Sequence, residues 1–172
     1  MKISIRQAAF SDAELLATIG AQAFADTFAS DNTPENMAIY LAEAFSLEQI
    51  SGEVAAAANL FLIAEIDGQP AGYAKLVTGA APEMVKAKNA VELERIYALK
   101  TWIGQGVGAA LMQSCLEEAR GKGHDAIWLG VWERNTRAIA FYEKWGFAKA
   151  GTKVFQLGDD PQTDFVMVRS LV

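Results

Sequence analysis

The sequence predicts an α/β fold of the mixed α+β kind, built as one domain over residues 1–172, with a mixed sheet and helices on both of its faces. Three observations predict it. The chain has 172 residues, 52% of them hydrophobic, which suits one ordinary core without metals or disulfides. Two apolar runs in its middle are joined by Asp67-Gly68, a tight-turn pair. Its second half alternates strand-like with helix-like runs.

The elements follow in order. Ile3 to Arg6 alternates apolar and polar residues and reads as a strand. Ser11-Asp12 caps a helix that has Glu14 in its first turn, carries Leu15, Leu16, Ile19, Ala23 and Phe24, and runs to about Phe28. Thr33-Pro34-Glu35 opens a second helix, because proline suits the first helical position; Met37, Tyr40, Leu41 and Ala44 lie on its inner face. A third runs from Leu47 to about Ala57 behind Ser46. Leu60–Ile66 and Ala71–Val77 form a hairpin around Asp67-Gly68, and Thr78 to Asn89 reads as a loop. Val91–Ala98 is a strand, Gly106–Arg120 a helix ended by Gly121 and Gly123, Ala126–Trp132 a strand, and Asn135–Trp145 a helix stopped by Gly146. Phe147–Phe155 and Asp164–Leu171 are two final strands.

Composition excludes several classes. Cys115 is the one cysteine and His124 the one histidine, so neither a disulfide nor a Cys- or His-rich metal site is expected, and no metal is assigned. The net charge of -6 argues against a nucleic-acid partner and is compatible with a small cationic one. The opening Met1-Lys2-Ile3-Ser4-Ile5-Arg6 does not read as a signal peptide, and no apolar run reaches membrane-spanning length. The expectation is a cytoplasmic protein with no membrane partner.

The string Ile103-Gly104-Gln105-Gly106-Val107-Gly108-Ala109 lies between a strand and a helix. Glycine presents no side chain to a ligand and tolerates positive φ. The N–H groups at a helix start lack internal partners and carry the positive end of the helix dipole, so a diphosphate is a natural occupant. A Gly-Lys-Ser/Thr ending is missing, and the spacing is not G-x-G-x-x-G, so nucleotide-triphosphate and dinucleotide loops fit worse.

Here the chain resembles the GNAT superfamily of N-acetyltransferases. Their Gln/Arg-x-x-Gly-x-Gly/Ala signature falls on Ile103, Gly106 and Gly108, with Ile103 replacing the usual polar residue. Asn135 through Phe147 matches the family's second landmark, Asn-x-x-Ala-x-x-x-Tyr-x-x-x-Gly-Phe, without a gap. The resemblance implies a twisted, mostly antiparallel sheet and acetyl-coenzyme A as cosubstrate. It implies that amides of Gly104 to Ala109 hold the pyrophosphate, and that main-chain groups of Ile96 and Ala98, flanking Tyr97, pair with the pantetheine arm. It also implies that Asn135 bonds the pantetheine region and that Tyr142 protonates the departing thiolate. Lys144 is placed near a cofactor phosphate.

The amine also needs a base. Glu92 and Glu94 are two apart on one strand and are expected on one face, with Arg95 on the other. In several family members a glutamate on this strand is the base, directly or through water; Glu92 matches that position best and Glu94 is the alternative. Within the family, Leu93-Glu94-Arg95-Ile96-Tyr97, Ile127 to Glu133, Gln162-Thr163-Asp164 and the early Asp26-Thr27-Phe28 are similar to the PaiA type of polyamine N-acetyltransferase. That implies a small amine substrate such as spermidine, with Asp26, Phe28 and Tyr40 beside Glu94 in its pocket, and a homodimer is common among similar proteins. Cys115 reads as core, His124 as an exposed turn residue, Trp128 and Trp132 as packing residues on one strand face, and Glu117-Glu118 as a solvated helix face. Competing functions are a peptide N-terminal acetyltransferase and a non-catalytic acyl-coenzyme A sensor.

Overall fold

The computed structural model describes residues 1–172. Strands are β1 (Ile3–Gln7), β2 (Asn59–Ile66), β3 (Gln69–Thr78), β4 (Ala90–Ala98), β5 (Ala126–Trp132), β6 (Ala148–Leu157) and β7 (Asp160–Ser170). Helices are α1 (Ala13–Phe28), α2 (Pro34–Ala44), α3 (Leu47–Ala55), α4 (Val107–Gly121) and α5 (Thr136–Lys144). The seven strands form one sheet in the order β1-β2-β3-β4-β5-β7-β6. Every pairing is antiparallel except β4 with β5. No helix is long and apolar enough to cross a membrane.

Side-chain alternation along β2 explains the layers. Leu60, Leu62, Ala64 and Ile66 pack with α4 residues Leu111, Met112, Cys115 and Leu116. Phe61 and Ile63 point to the other face, where Leu16, Ile19 and Phe24 of α1, Met37 of α2 and Ile50 of α3 cover them. A strand buried on both faces reads as a continuous apolar run, as this one does. Cys115 lies in the α4 core, where burial raises its thiol to about 12.

Local chemistry fixes most boundaries. Thr33 Oγ1 accepts from the Asn36 amide at 3.2 Å, and Ser46 Oγ from that of Gln49 at 3.1 Å, so α2 and α3 begin where the caps predict. α1 differs from the expectation. A 3-10 turn over Phe10–Asp12 precedes it, and Asp12 does not cap it. The Asp12 carboxylate instead accepts from the Ala9 amide at 2.8 Å and pairs with Arg6 at 2.9 Å. α3 ends at Ala55, two residues short of the expected Ala57.

The largest difference is at the end of the chain. Leu157 pairs with Asp160, so the final two strands form a tight hairpin that includes Gln156 to Thr163. Gly158, Asp159 and Pro161 gave that segment the composition of a loop. Gly158 sits at φ +61, and a Cβ there would lie 2.4 Å from Asn36 Oδ1, because α2 packs on the turn. His124 is buried, not exposed; its Nδ1 lies 3.1 Å from the Asn89 carbonyl oxygen.

Two irregularities in β4 make the site. It pairs with β5 only from Ala90 to Glu92, opposite Ala126 to Trp128. From Leu93 onward the side of β4 facing β5 has no strand partner. Between β3 and β4, Lys75 pairs with Arg95 and Leu76 with Leu93, so Glu94 is an extra β4 residue in a β-bulge. The bulge inverts the alternation. Val91 and Leu93 face α4, and so do Ile96 and Ala98, three residues further on. Arg95 is thereby turned to the α1 side with Glu92 and Tyr97. The expectation that Arg95 points away from Glu92 is overturned, because a period of two does not survive an inserted residue.

Candidate active site

The gap between β4 and β5 opens into a cleft of about 560 Å³. One end is the glycine turn. Gly104 at φ +81 and Gly106 at φ +89 adopt the left-handed conformation, which aims the chain into α4. The first carbonyl used by the helix is that of Gly106, which accepts from Ala110 at 3.0 Å. The amides of Gly106, Val107, Gly108 and Ala109 therefore have no backbone partner, at the positive end of a 15-residue helix. Four N–H groups in one turn are a built anion seat.

The structure trims the expected cofactor set. Ile103, Gly104, Gly106, Gly108 and Ala109 line the cleft. Gln105 does not: its amide donates to the Trp102 carbonyl at 3.3 Å and its side chain to the Thr101 carbonyl at 3.0 Å. Val107 offers only its backbone, because its side chain is sealed in the α4 core. Ile103 is 40% exposed at the mouth and carries no charge toward it.

Further in, Ile96, Tyr97 and Ala98 present the unpaired edge of β4, facing Asn135 and Tyr142 across the cleft. Asn135 caps α5, its Oδ1 accepting from the Ala138 amide at 3.2 Å. Its Nδ2 stays free to donate. Tyr142 is wedged between Phe141 and Phe147, at 5.5 and 5.9 Å between ring centroids. Burial holds its hydroxyl protonated well above the ordinary tyrosine range. Lys144, at the end of α5, is exposed and outside the cleft.

The two glutamates differ sharply. The Glu94 carboxylate is paired with the Lys75 ammonium, which also reaches Glu53 at 3.3 Å; Glu53 in turn holds Arg95 at 2.8 Å. This quartet is internally neutral. Glu92 has no ion-pair partner. Burial, and then the neighbouring Glu94 charge, raise its carboxyl above the ordinary 4.5. A carboxylate so placed is poised to accept a proton.

The far end is aromatic. Tyr40 stacks on Phe24 at 4.4 Å and meets Phe155 at 5.4 Å, while Phe28 meets Trp132 edge-on at 6.1 Å. Phe28 and Tyr40 line the cleft as expected, and Trp132 lines it as well instead of only packing. Asp26 does not. It is exposed on α1 and accepts from Gln22 at 3.0 Å. Asp164, Lys153 and Gln162 are in the cleft and were not assigned from the sequence, because the register of β6 and β7 was not visible there.

Comparison with known proteins decides the family. Residues 11–147 match the acetyltransferase (GNAT) family. The chain belongs to the GNAT family of acetyltransferases. It is 37% identical to an uncharacterized N-acetyltransferase in the pepI 3′ region of Lactobacillus delbrueckii subsp. lactis, over 99% of this chain and 98% of that one. Among solved structures, the PaiA N-acetyltransferase from Thermoplasma acidophilum, in complex with coenzyme A, superimposes with a TM-score of 0.78 at 24% identity, over 99% of both chains. The ribosomal-protein-S18-alanine N-acetyltransferase from Escherichia coli does so with a TM-score of 0.72 at 20% identity, over 99% of this chain and 94% of that one. At those identities the two structures show a shared fold. This GNAT protein is thus an acetyl-coenzyme A-dependent N-acetyltransferase. Its own residues fit that cosubstrate: four unpartnered amides for the pyrophosphate, and a free strand edge for the amide-bearing arm.

Proposed function

We propose that this enzyme acetylates a primary amine of a small cationic acceptor of the polyamine class, with Glu92 as base and Tyr142 as acid. One observation carries the reading: the unpaired, half-buried Glu92 carboxylate opens into the same cleft as the protonated Tyr142 hydroxyl.

An alkylamine has a pKa near 10, so only about one molecule in a thousand is neutral at pH 7, and reaching that form costs about 4 kcal/mol. A carboxylate raised by burial takes the proton, directly or through a water. Glu94 is unsuited, because its carboxylate is already engaged by the Lys75 ammonium. Acetyl-coenzyme A supplies an activated acyl group on a thiolate leaving group. The amides at the start of α4 hold its pyrophosphate, and the β4 edge at Ile96 to Ala98 orients the arm. Tyr142, held between Phe141 and Phe147, donates its proton to the departing sulfur.

The closed far end favours a small acceptor over an extended peptide. The β6–β7 hairpin is tied to the start of α2 by Gln162 Nε2 donating to Asn32 Oδ1 at 2.6 Å and by the Asp159 amide donating to Asn36 Oδ1 at 3.3 Å. Thiol release from acetyl-coenzyme A, measured with spermidine, simple amines and peptides, tests the reading. Turnover confined to peptides would overturn the acceptor class. Tight cofactor binding with no turnover on any amine would overturn the catalytic roles.

A further inference from the structure

Asp164 is a carboxylate that the reaction does not use. It lies on β7, with Trp132 of β5 on one side and Lys153 of β6 on the other in the pairing register. It lines the cleft, is only 6% exposed, and burial raises it above the ordinary carboxyl range. A carboxylate so buried is normally bonded closely. This one has a single loose partner, the Lys153 ammonium at 3.7 Å.

The backbone is shaped to let Lys153 reach it. A Cβ at Gly130 would lie 2.5 Å from Lys153 Cε and 3.2 Å from Asp164 Oδ2, so the lysine chain crosses bare backbone on β5. The ammonium also sits 6.0 Å from the Phe155 ring centre, and Trp132 stands beside it in the cleft wall. One flexible, partly exposed cation thus rests between a buried anion and aromatic faces. Any ammonium in that place meets the same charge and the same rings.

We propose that Asp164 anchors a second ammonium group of the acceptor, and that Lys153 competes with the acceptor for it. The inference rests on the proposed amine acceptor and adds a selectivity to it. Glu92 stands opposite Trp128 and Asp164 opposite Trp132, so the two carboxylates are four residues of β5 apart, about 13 Å along the strand. Each carboxylate adds its own side-chain length and a hydrogen bond of about 2.8 Å toward the nitrogen it holds, which shortens the interval left between the two nitrogens. A diamine with one nitrogen at Glu92 and the other at Asp164 spans this interval, whereas a monoamine leaves the Asp164–Lys153 pair in place.

Calorimetric titration of 1,4-diaminobutane and n-butylamine into the protein with coenzyme A present tests this. The wild type is expected to bind the diamine more tightly. Asp164→Asn is expected to lower the diamine-to-monoamine affinity ratio by about tenfold, the effect of one charge-assisted hydrogen bond. Lys153→Met, which keeps Asp164 and frees it, is expected to tighten the diamine several-fold. Equal affinities in the wild type, an unchanged ratio in Asp164→Asn, or weaker diamine binding in Lys153→Met would each overturn the subsite. Turnover is read separately with the same two amines. Acetylation of both with an unchanged ratio removes the subsite and leaves the reaction standing. Acetylation of neither with the predicted ratio does the reverse.

Discussion

Lys75 pairs with Glu94 across the bulge where β3 and β4 lose register, and that pairing leaves Glu92 as a cleft carboxylate with no cation of its own. The proposed division of labour between the two glutamates follows from it. Glu92→Gln should lower kcat by about 100-fold or more, in the range of a lost general base. Glu94→Gln should cost far less. Steady-state kinetics at saturating acetyl-coenzyme A, with matched cofactor affinities, decides between them. A larger loss at Glu94 would reverse the assignment.

The same burial makes Glu92 a cost to the fold. Its carboxyl is raised in the folded state, so the folded protein holds that proton more tightly than the unfolded chain does. The penalty is absent below the ordinary 4.5, grows as pH rises from there, and is complete above the folded value. Glu92→Gln should therefore melt at a higher temperature than wild type at pH 7, and the gain should vanish near pH 4. The acidic limb of kcat/KM should lie above the ordinary glutamate range for the same reason. Thermal melts and a pH–rate profile measure both.

Glu53 behaves oppositely. It joins Lys75 and Arg95, both buried, and their charges hold its carboxyl below the ordinary range despite its own burial. Its contribution is present above the unfolded value and is lost as pH falls through the folded one. Glu53→Gln leaves two buried cations sharing Glu94, and should destabilise by about 3–5 kcal/mol in urea titration. Since Arg95 and Lys75 register at the bulge, activity should fall with stability.

Tyr142→Phe should reduce kcat by about 100-fold while leaving coenzyme A affinity within a few-fold, because the ring packing against Phe141 and Phe147 survives. Comparable losses in affinity and kcat would mean that Tyr142 only shapes the cleft.

The glycines and Ile103 separate backbone from side chain at the proposed pyrophosphate seat. Gly106→Ala forces a side chain into φ +89, at a cost of about 1–2 kcal/mol, and should raise the KM for acetyl-coenzyme A. Gly108→Ala should do less, since its Cβ would rest 3.6 Å from the Phe141 ring, an ordinary contact. Ile103→Arg adds a cation at an exposed position of the mouth, and should tighten coenzyme A by a few-fold with an advantage that fades in high salt.

The order of strands and helices up to α5, the cofactor turn and the Asn135–Tyr142 helix were legible in the chain itself. They rest on local signals: caps at Thr33 and Ser46, glycines that need positive φ at 104 and 106, and alternation in β2. Those signals depend only on near neighbours along the chain, so periodicity and turn chemistry report them. Three things were decided by the tertiary structure alone. The bulge at Glu94 moved Arg95 to the side of Glu92, because an inserted residue is defined only against the partner strand. The pairing of Lys75 with Glu94, which leaves Glu92 without a cation, is a long-range contact that no local pattern on the β4 strand reports. The register of β6 on β7 brought Lys153 and Asp164 together over Gly130, three residues from three strands with no local pattern to join them.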